Sequence, residues 1–254
     1  MRPVRFGPAL AALLVASLTA CSAAQGTTAA PVSPSAAASA SPAPSPSAPS
    51  PAPTALRPSY LDQKLAAYST TPVIERPVIG KAVLAKYGEK RTNRTYDAVV
   101  AYLRAESWKL DRLRPKAKYT RADFASVEKP MSPHVRKAWR QELAKALKGD
   151  KEAAGELKMV ALWNLGDHGF TFAPTGPYVV DERIGQPVVY LDDETKWLKI
   201  NLTYSASVRM LKAGVPHRRS VSKKVTVTVY PTGDTFLLGF YDGTWGLDPD
   251  GRPE

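Results

Sequence analysis

The sequence predicts an α+β domain in which helices come first and a long antiparallel sheet follows. Three observations carry that prediction. Apolar residues recur at spacings of three and four from Thr95 to about Gly166. Beyond Gly166 the period becomes two and continues to the neighbourhood of Trp245. A charge-free run made almost entirely of Ala, Ser, Pro, Thr and Gly over residues 22–56 separates this folded part from the start of the chain.

Residues 1–20 read as an export signal. Arg2 and Arg5 form a basic start, Phe6 to Ala20 an apolar stretch too short to span a bilayer comfortably, and small residues precede Cys21. The run Leu18-Thr19-Ala20-Cys21 resembles the lipobox of bacterial lipoproteins. That resemblance implies cleavage between Ala20 and Cys21 and a diacylglyceryl group on the Cys21 thiol. The alternative is an ordinary secretory signal that leaves a free cysteine just past its cleavage site. Cys21 is the one cysteine of the chain, so with the lipid in place no disulfide, cysteine-held metal or thiol nucleophile is available. Two acyl chains hold a protein stably at a membrane where one binds reversibly. The expected address is the extracytoplasmic face of the cell membrane.

Residues 21–57 have too little apolar surface to offset the entropy of ordering, and their prolines favour a solvated extended chain. They read as a disordered tether, with a reach on the order of 100 Å when stretched at about 3.1 Å per residue. Residues 58–94 read as an arm packed on the domain, where Pro72 and Pro77 impose extended backbone around Val73-Ile74 and Val78-Ile79.

The domain proper is placed at residues 95–246. Tyr96, Val99, Val100, Leu103, Ser107 and Leu110 line one face of a first helix that Pro115 ends. Arg121 to Phe124 form a turn-like element. Ser132 caps a second helix, with Pro133 in its first turn and Val135, Ala138, Trp139, Ala146 and Leu147 on its apolar stripe. After Gly149, Asp150 opens a third helical stretch that becomes apolar at Leu157, Val160, Ala161 and Leu165. The clearest strand alternates Leu198, Ile200, Leu202, Tyr204, Ala206, Val208 and Met210 with polar residues. Val221 to Val229 alternate likewise, and Pro231-Thr232-Gly233-Asp234 turns into a partner strand from Thr235 to Asp242. Tyr178–Asp181 and Val188–Leu191 read as two further strands joined through Gly185, and Phe170–Phe172 as a short one. Residues 247–254 read as a flexible acidic tail.

This layout resembles the NTF2-like fold, in which helices pack into the concavity of a curved sheet and leave a cone-shaped pocket. The resemblance rests on element order, on Asp123-Phe124 between the first two helices, and on the closing run Phe240-Tyr241-Asp242-Gly243-Thr244-Trp245. With Leu18 to Cys21, the chain is similar to the lipoproteins of high-GC bacteria that carry such a domain, for which the family implies no agreed activity.

The chemistry is sparse. The three histidines, His134, His168 and His217, have no partners at ligand spacing, so the sequence calls for no metal and no cofactor. Asp167-His168 stands at the junction of helices and sheet. It reads either as an acid–base pair at a pocket mouth, a use that the NTF2-like resemblance permits, or as a turn. Asp248-Pro249-Asp250-Gly251 lacks the remaining ligands of a calcium loop. The chain carries 35 Lys plus Arg against 23 Asp plus Glu. Arg209, Lys212, Arg218, Arg219, Lys223 and Lys224 follow one another with no acidic residue between them, and they read either as a basic hairpin that touches anionic lipid or wall polymer, or as a solvated loop. Nucleic acid is not an expected partner outside the membrane. The leading expectation is a non-enzymatic, lipid-anchored envelope protein that binds an envelope partner or an anionic or hydrophobic ligand. The alternative is an acid–base enzyme of isomerase or dehydratase type built on the cone pocket.

Overall fold

Four long strands joined in sequence carry the architecture: β4 (Val179–Leu191), β5 (Leu198–Lys212), β6 (Val215–Thr232) and β7 (Thr235–Leu247), each antiparallel to the next. The structure, a computed structural model, describes residues 67–254. The signal segment, Cys21 and the tether lie outside the described residues. Short strands extend the meander into a mixed, curved sheet. β1 (Val73–Ile74) and β2 (Val78–Ile79) add parallel to β4, β3 (Phe170–Thr171) to β5, and β8 (Arg252–Pro253) to β6.

The alternation of β5 does what its sequence dictates. Leu198, Ile200, Leu202, Tyr204, Ala206, Val208 and Met210 are buried, and every residue between them is half-buried on the opposite face. Helices cover the buried face. α2 (Glu89–Ser107) presents Tyr96, Val99, Val100, Leu103 and Ser107 to it, all buried. α4 (Pro133–Ala146) presents Val135, Trp139 and Leu143. Ser132 caps α4 by accepting from the Val135 amide, and Asp150 caps α5 (Lys151–Lys158) by accepting from the amides of Glu152 and Ala153. A single 3-10 turn at Arg121–Phe124 drops Phe124 between Trp139 and Trp163. These side chains join those of β4 to β7 in one apolar cluster, and Leu113, Leu162, Leu165, Phe170, Val208, Met210 and Val221 form a second.

The structure departs from the sequence reading at four places. The first long helix begins at Glu89 rather than Thr95, because Gly88 at φ 73° separates it from α1 (Lys81–Tyr87). The arm is thus part of the sheet and the helical layer. The helix also ends at Ser107, and Leu110–Leu113 form a separate short helix, α3. Tyr178–Asp181 and Val188–Leu191 belong to one strand, β4, that two register shifts bend at 180/183 and 185/188. Val160 to Leu165 are not helical. Five of these six residues are buried, and the amides of Asn164 and Leu165 donate to the carbonyls of Arg112 and Leu113. Finally, the residues read as a tail are tied down: β8 pairs with His217 and Arg218, and the Glu254 carboxylate pairs with Arg209.

At the β6–β7 pair, Gly243 adopts φ 149°, and a Cβ there would lie 2.0 Å from the Lys224 carbonyl oxygen. That neighbour is backbone and cannot move aside without breaking the ladder. Gly243→Ala is therefore expected to cost about 2 kcal/mol or more, read as a lower midpoint in denaturant. A midpoint equal to that of the wild type would contradict this packing.

Candidate functional site

Alternation sorts the basic strip into two sets. β5 and β6 form the expected hairpin, with Ala213 and Gly214 both at positive φ in its two-residue turn. On β6, Arg219 and Lys223 share the inward face with Val221 and Val225, opposite Val208 and Tyr204 of β5. Their exposures are 0% and 1%. The reading that placed Arg219 and Lys223 on a surface strip is corrected. Arg209 and Arg218, facing each other in register, both pair with Glu254, and Arg218 also with Asp181. Of the six cations, the half-buried Lys212 beside Phe170 and the exposed Lys224 are left on the surface without an acidic partner in this arrangement.

Arg219 explains Asp167. The guanidinium donates to the Leu165 and Asp248 carbonyls and, at 2.6 Å, to Asp167 Oδ1, while its plane stacks on Phe170. His168 adopts φ 52° in the turn, its side chain is 59% exposed, and its Nε2 stands 3.7 Å from Asp167 Oδ2. Asp167 thus serves as the counter-charge of a buried arginine. The pair faces solvent rather than an inner pocket.

The interior holds a polar centre that the sequence reading did not find. Lys223 Nζ donates to Ser107 Oγ at 2.8 Å and to the Met159 carbonyl at 3.1 Å, joining β6 to the C-terminal ends of α2 and α5. Burial and the nearby Arg112 guanidinium push the Lys223 ammonium down to about 7. Tyr204, whose ring lies beneath Lys223, donates its hydroxyl to Glu182, which also accepts from Arg104 Nε and Nη2 and from Trp108 Nε1. The bulge between Val180 and Arg183, with Asp181 at φ 54°, sets Glu182 there. Burial raises the Glu182 carboxyl, but its bonds from Arg104 and Tyr204 outweigh that and hold it below the usual range. Burial and the charge of Glu182 push the Tyr204 phenol far up. A second ion pair, Arg112 with Glu106, is closed by Ser126, which donates to Glu106. Ser107 and Lys223 have the composition of a nucleophile and base, yet both are shut away from solvent and bonded to each other.

Grooves open on the surface of the described residues. One, of about 400 Å³, runs between Tyr102 and Phe236 and has Glu106, Ser126 and Lys129 among its lining. Another, of about 480 Å³, follows α4 and is lined by Pro133, Arg136, Lys137, Arg140, Gln141 and Ala144. The sequence reading did not single out these cations. Their spacing at i, i+1 and i+4 was the available signal. Among the described residues, no group of three or more His, Cys, Asp or Glu is placed to hold a metal, and no helix is long and apolar enough to cross a membrane.

No protein-family model, curated protein or solved structure matches the chain.

Lys223 makes stability depend on pH in a definite direction. Its folded value near 7 lies below the unfolded value of about 10.4, so the unfolded chain binds the extra proton and stability rises as pH climbs above about 7. Between about pH 7 and 9 the slope from this group reaches up to about 1.4 kcal/mol per unit. Lys223→Met is expected to flatten that slope, read from denaturant midpoints at successive pH values. An unchanged slope in the variant would assign the titration to another group.

Proposed function

We propose that this is a lipid-anchored protein of the bacterial cell envelope whose domain, an NTF2-like cone with a filled interior, acts by binding at its outer surface and not by catalysis. The observation that carries this reading is the state of the space between helices and sheet. Trp139, Tyr204, Phe124 and Leu103 fill it, Lys223 is bonded to Ser107 within it, and the half-buried Glu182 holds Tyr204 and Arg104. In a cone so occupied, the surface is what remains to meet a partner.

The anchor rests on the basic start, the apolar run and Leu18-Thr19-Ala20-Cys21. A diacylglyceryl group on Cys21 would hold the chain at the extracytoplasmic face of the membrane, and the Ala/Ser/Pro tether would let the domain stand off from it. At that address the excess of positive charge favours anionic lipid or wall polymer, or an acidic face of another envelope protein, as partner. The acid–base alternative is less well supported, since Asp167 is engaged by Arg219 and His168 stands in solvent.

Labelling cells with palmitate tests the anchor. The wild type is expected to incorporate label and partition into the detergent phase, and Cys21→Ala to lose the label and remain unprocessed or pass to the aqueous phase. Normal processing of Cys21→Ala with unchanged detergent partitioning would overturn the lipoprotein reading.

A further inference from the structure

The groove along α4 is built from both sides. Val135, Trp139 and Leu143 are drawn into the core, which turns Arg136, Lys137, Arg140 and Gln141 outward. The segment before α4 then fixes the arginines. Arg136 donates to the carbonyls of Glu128 and Met131 at 3.2 and 2.9 Å. Arg140 Nε donates to Glu128 Oε2 at 2.7 Å, and Arg121 reaches the other oxygen of the same carboxylate. Burial raises the Glu128 carboxyl, but the hydrogen bonds from Arg140 and Arg121 more than offset it and hold the group low, so it stays ionised. Arg121 and Arg140 thus share one carboxylate while Arg136 is held by backbone carbonyls, and with Lys137 beside them the groove retains a positive excess. Two guanidinium groups held in place lose little freedom when a ligand binds.

We propose that this groove binds a phosphodiester-linked anionic polymer, with one chain lying along α4. The lined stretch from Pro133 to Ala144 is roughly 16 Å long at about 1.5 Å per residue, which suits a linear ligand better than a single ion. Arg136 and Arg140 stand one helical turn apart, within reach of successive charges on a flexible phosphate backbone. A lipid surface fits less well. None of the exposed large apolar side chains, among them Leu84 on α1 and Val78, Val188, Tyr230 and Phe240 on strands, lies on α4, so its face has none to enter an acyl layer. The groove also has no aromatic ring on which a nucleic acid base would stack. The proposal rests on the reading of the domain as an outer-surface binder and is independent of the lipid anchor.

The test titrates the full chain with poly(glycerol phosphate) of about 20 repeats at several salt concentrations. Binding is expected to weaken with salt at a log–log slope of about −2, as three phosphate contacts on a single chain imply. Replacing Arg136, Lys137 and Arg140 together by Gln is expected to weaken it tenfold or more. Because Arg136 and Arg140 also hold the preceding segment, a second variant carries Lys137→Glu and Gln141→Glu, which leaves those bonds intact and is expected to lose binding to the same extent. Lys199→Gln with Lys224→Gln, on the opposite side of the sheet, is expected to bind as the wild type does. Absence of polymer binding by the wild type would overturn the proposal, as would unchanged binding by the Lys137→Glu, Gln141→Glu chain. Displacement of the polymer by phosphatidylglycerol nanodiscs at equal phosphate concentration would assign the groove to a membrane surface instead. The Cys21→Ala labelling result bears on none of these outcomes.

Discussion

Two cations that the alternation of β6 sends inward, Arg219 and Lys223, decide how the rest of this domain is arranged. A charged group taken out of water is costly unless its donors are used. Each therefore draws partners from distant parts of the chain. Arg219 gathers the carbonyls of Leu165 and Asp248 and the carboxylate of Asp167, which binds the helix-to-sheet junction and the end of β7 to β6. Lys223 gathers Ser107 and the Met159 carbonyl, which fixes the ends of α2 and α5 over the sheet. Lys223 stands between Val221 of one apolar cluster and Val225 of the other. It marks the seam where the two meet.

That seam has a functional consequence. The space between helices and sheet is the natural place for a ligand in such a layout. Here Tyr204, Glu182, Arg104 and Trp108 complete one another in that region, and Arg112 with Glu106 does the same at its edge. Groups that already satisfy each other gain nothing by opening to a small molecule. The positive charge left over is on the outside, and along α4 it is ordered by the Glu128 carboxylate and by backbone carbonyls.

Much of the scaffold was legible in the residues. The strict alternation from Leu198 to Met210 and the stripe Tyr96, Val99, Val100 and Leu103 each encode burial in their own period, and the structure buries those residues. Other elements were hidden for physical reasons. Pro72 and Pro77 mark the extended backbone of β1 and β2, but their pairing along the edge of β4 is recorded by no local pattern. Val160 to Leu165 are apolar in a row, and such a run is ambiguous between buried helix and buried extended chain. Arg219 and Lys223 were misread because a basic run suggests a wet surface, whereas their position in the alternation places them with Val221 and Val225. The α4 groove depends on Glu128, several residues before the helix, and on the 3-10 turn that brings Arg121 to it. Sequence spacing alone does not bring those residues together.

The claim on which this account turns is that the interior is closed around Lys223. Its amine, pushed down to about 7, is largely uncharged at mildly alkaline pH and would react readily wherever a reagent could reach it. Brief treatment of the native full chain with an amine-acylating reagent at about pH 8, followed by mass-spectrometric mapping, reads that access directly. Lys137 and Lys224 are expected to be modified, with Lys223 spared until denaturant is added. Modification of Lys223 in the folded chain at a rate matching Lys224 would instead show an open interior.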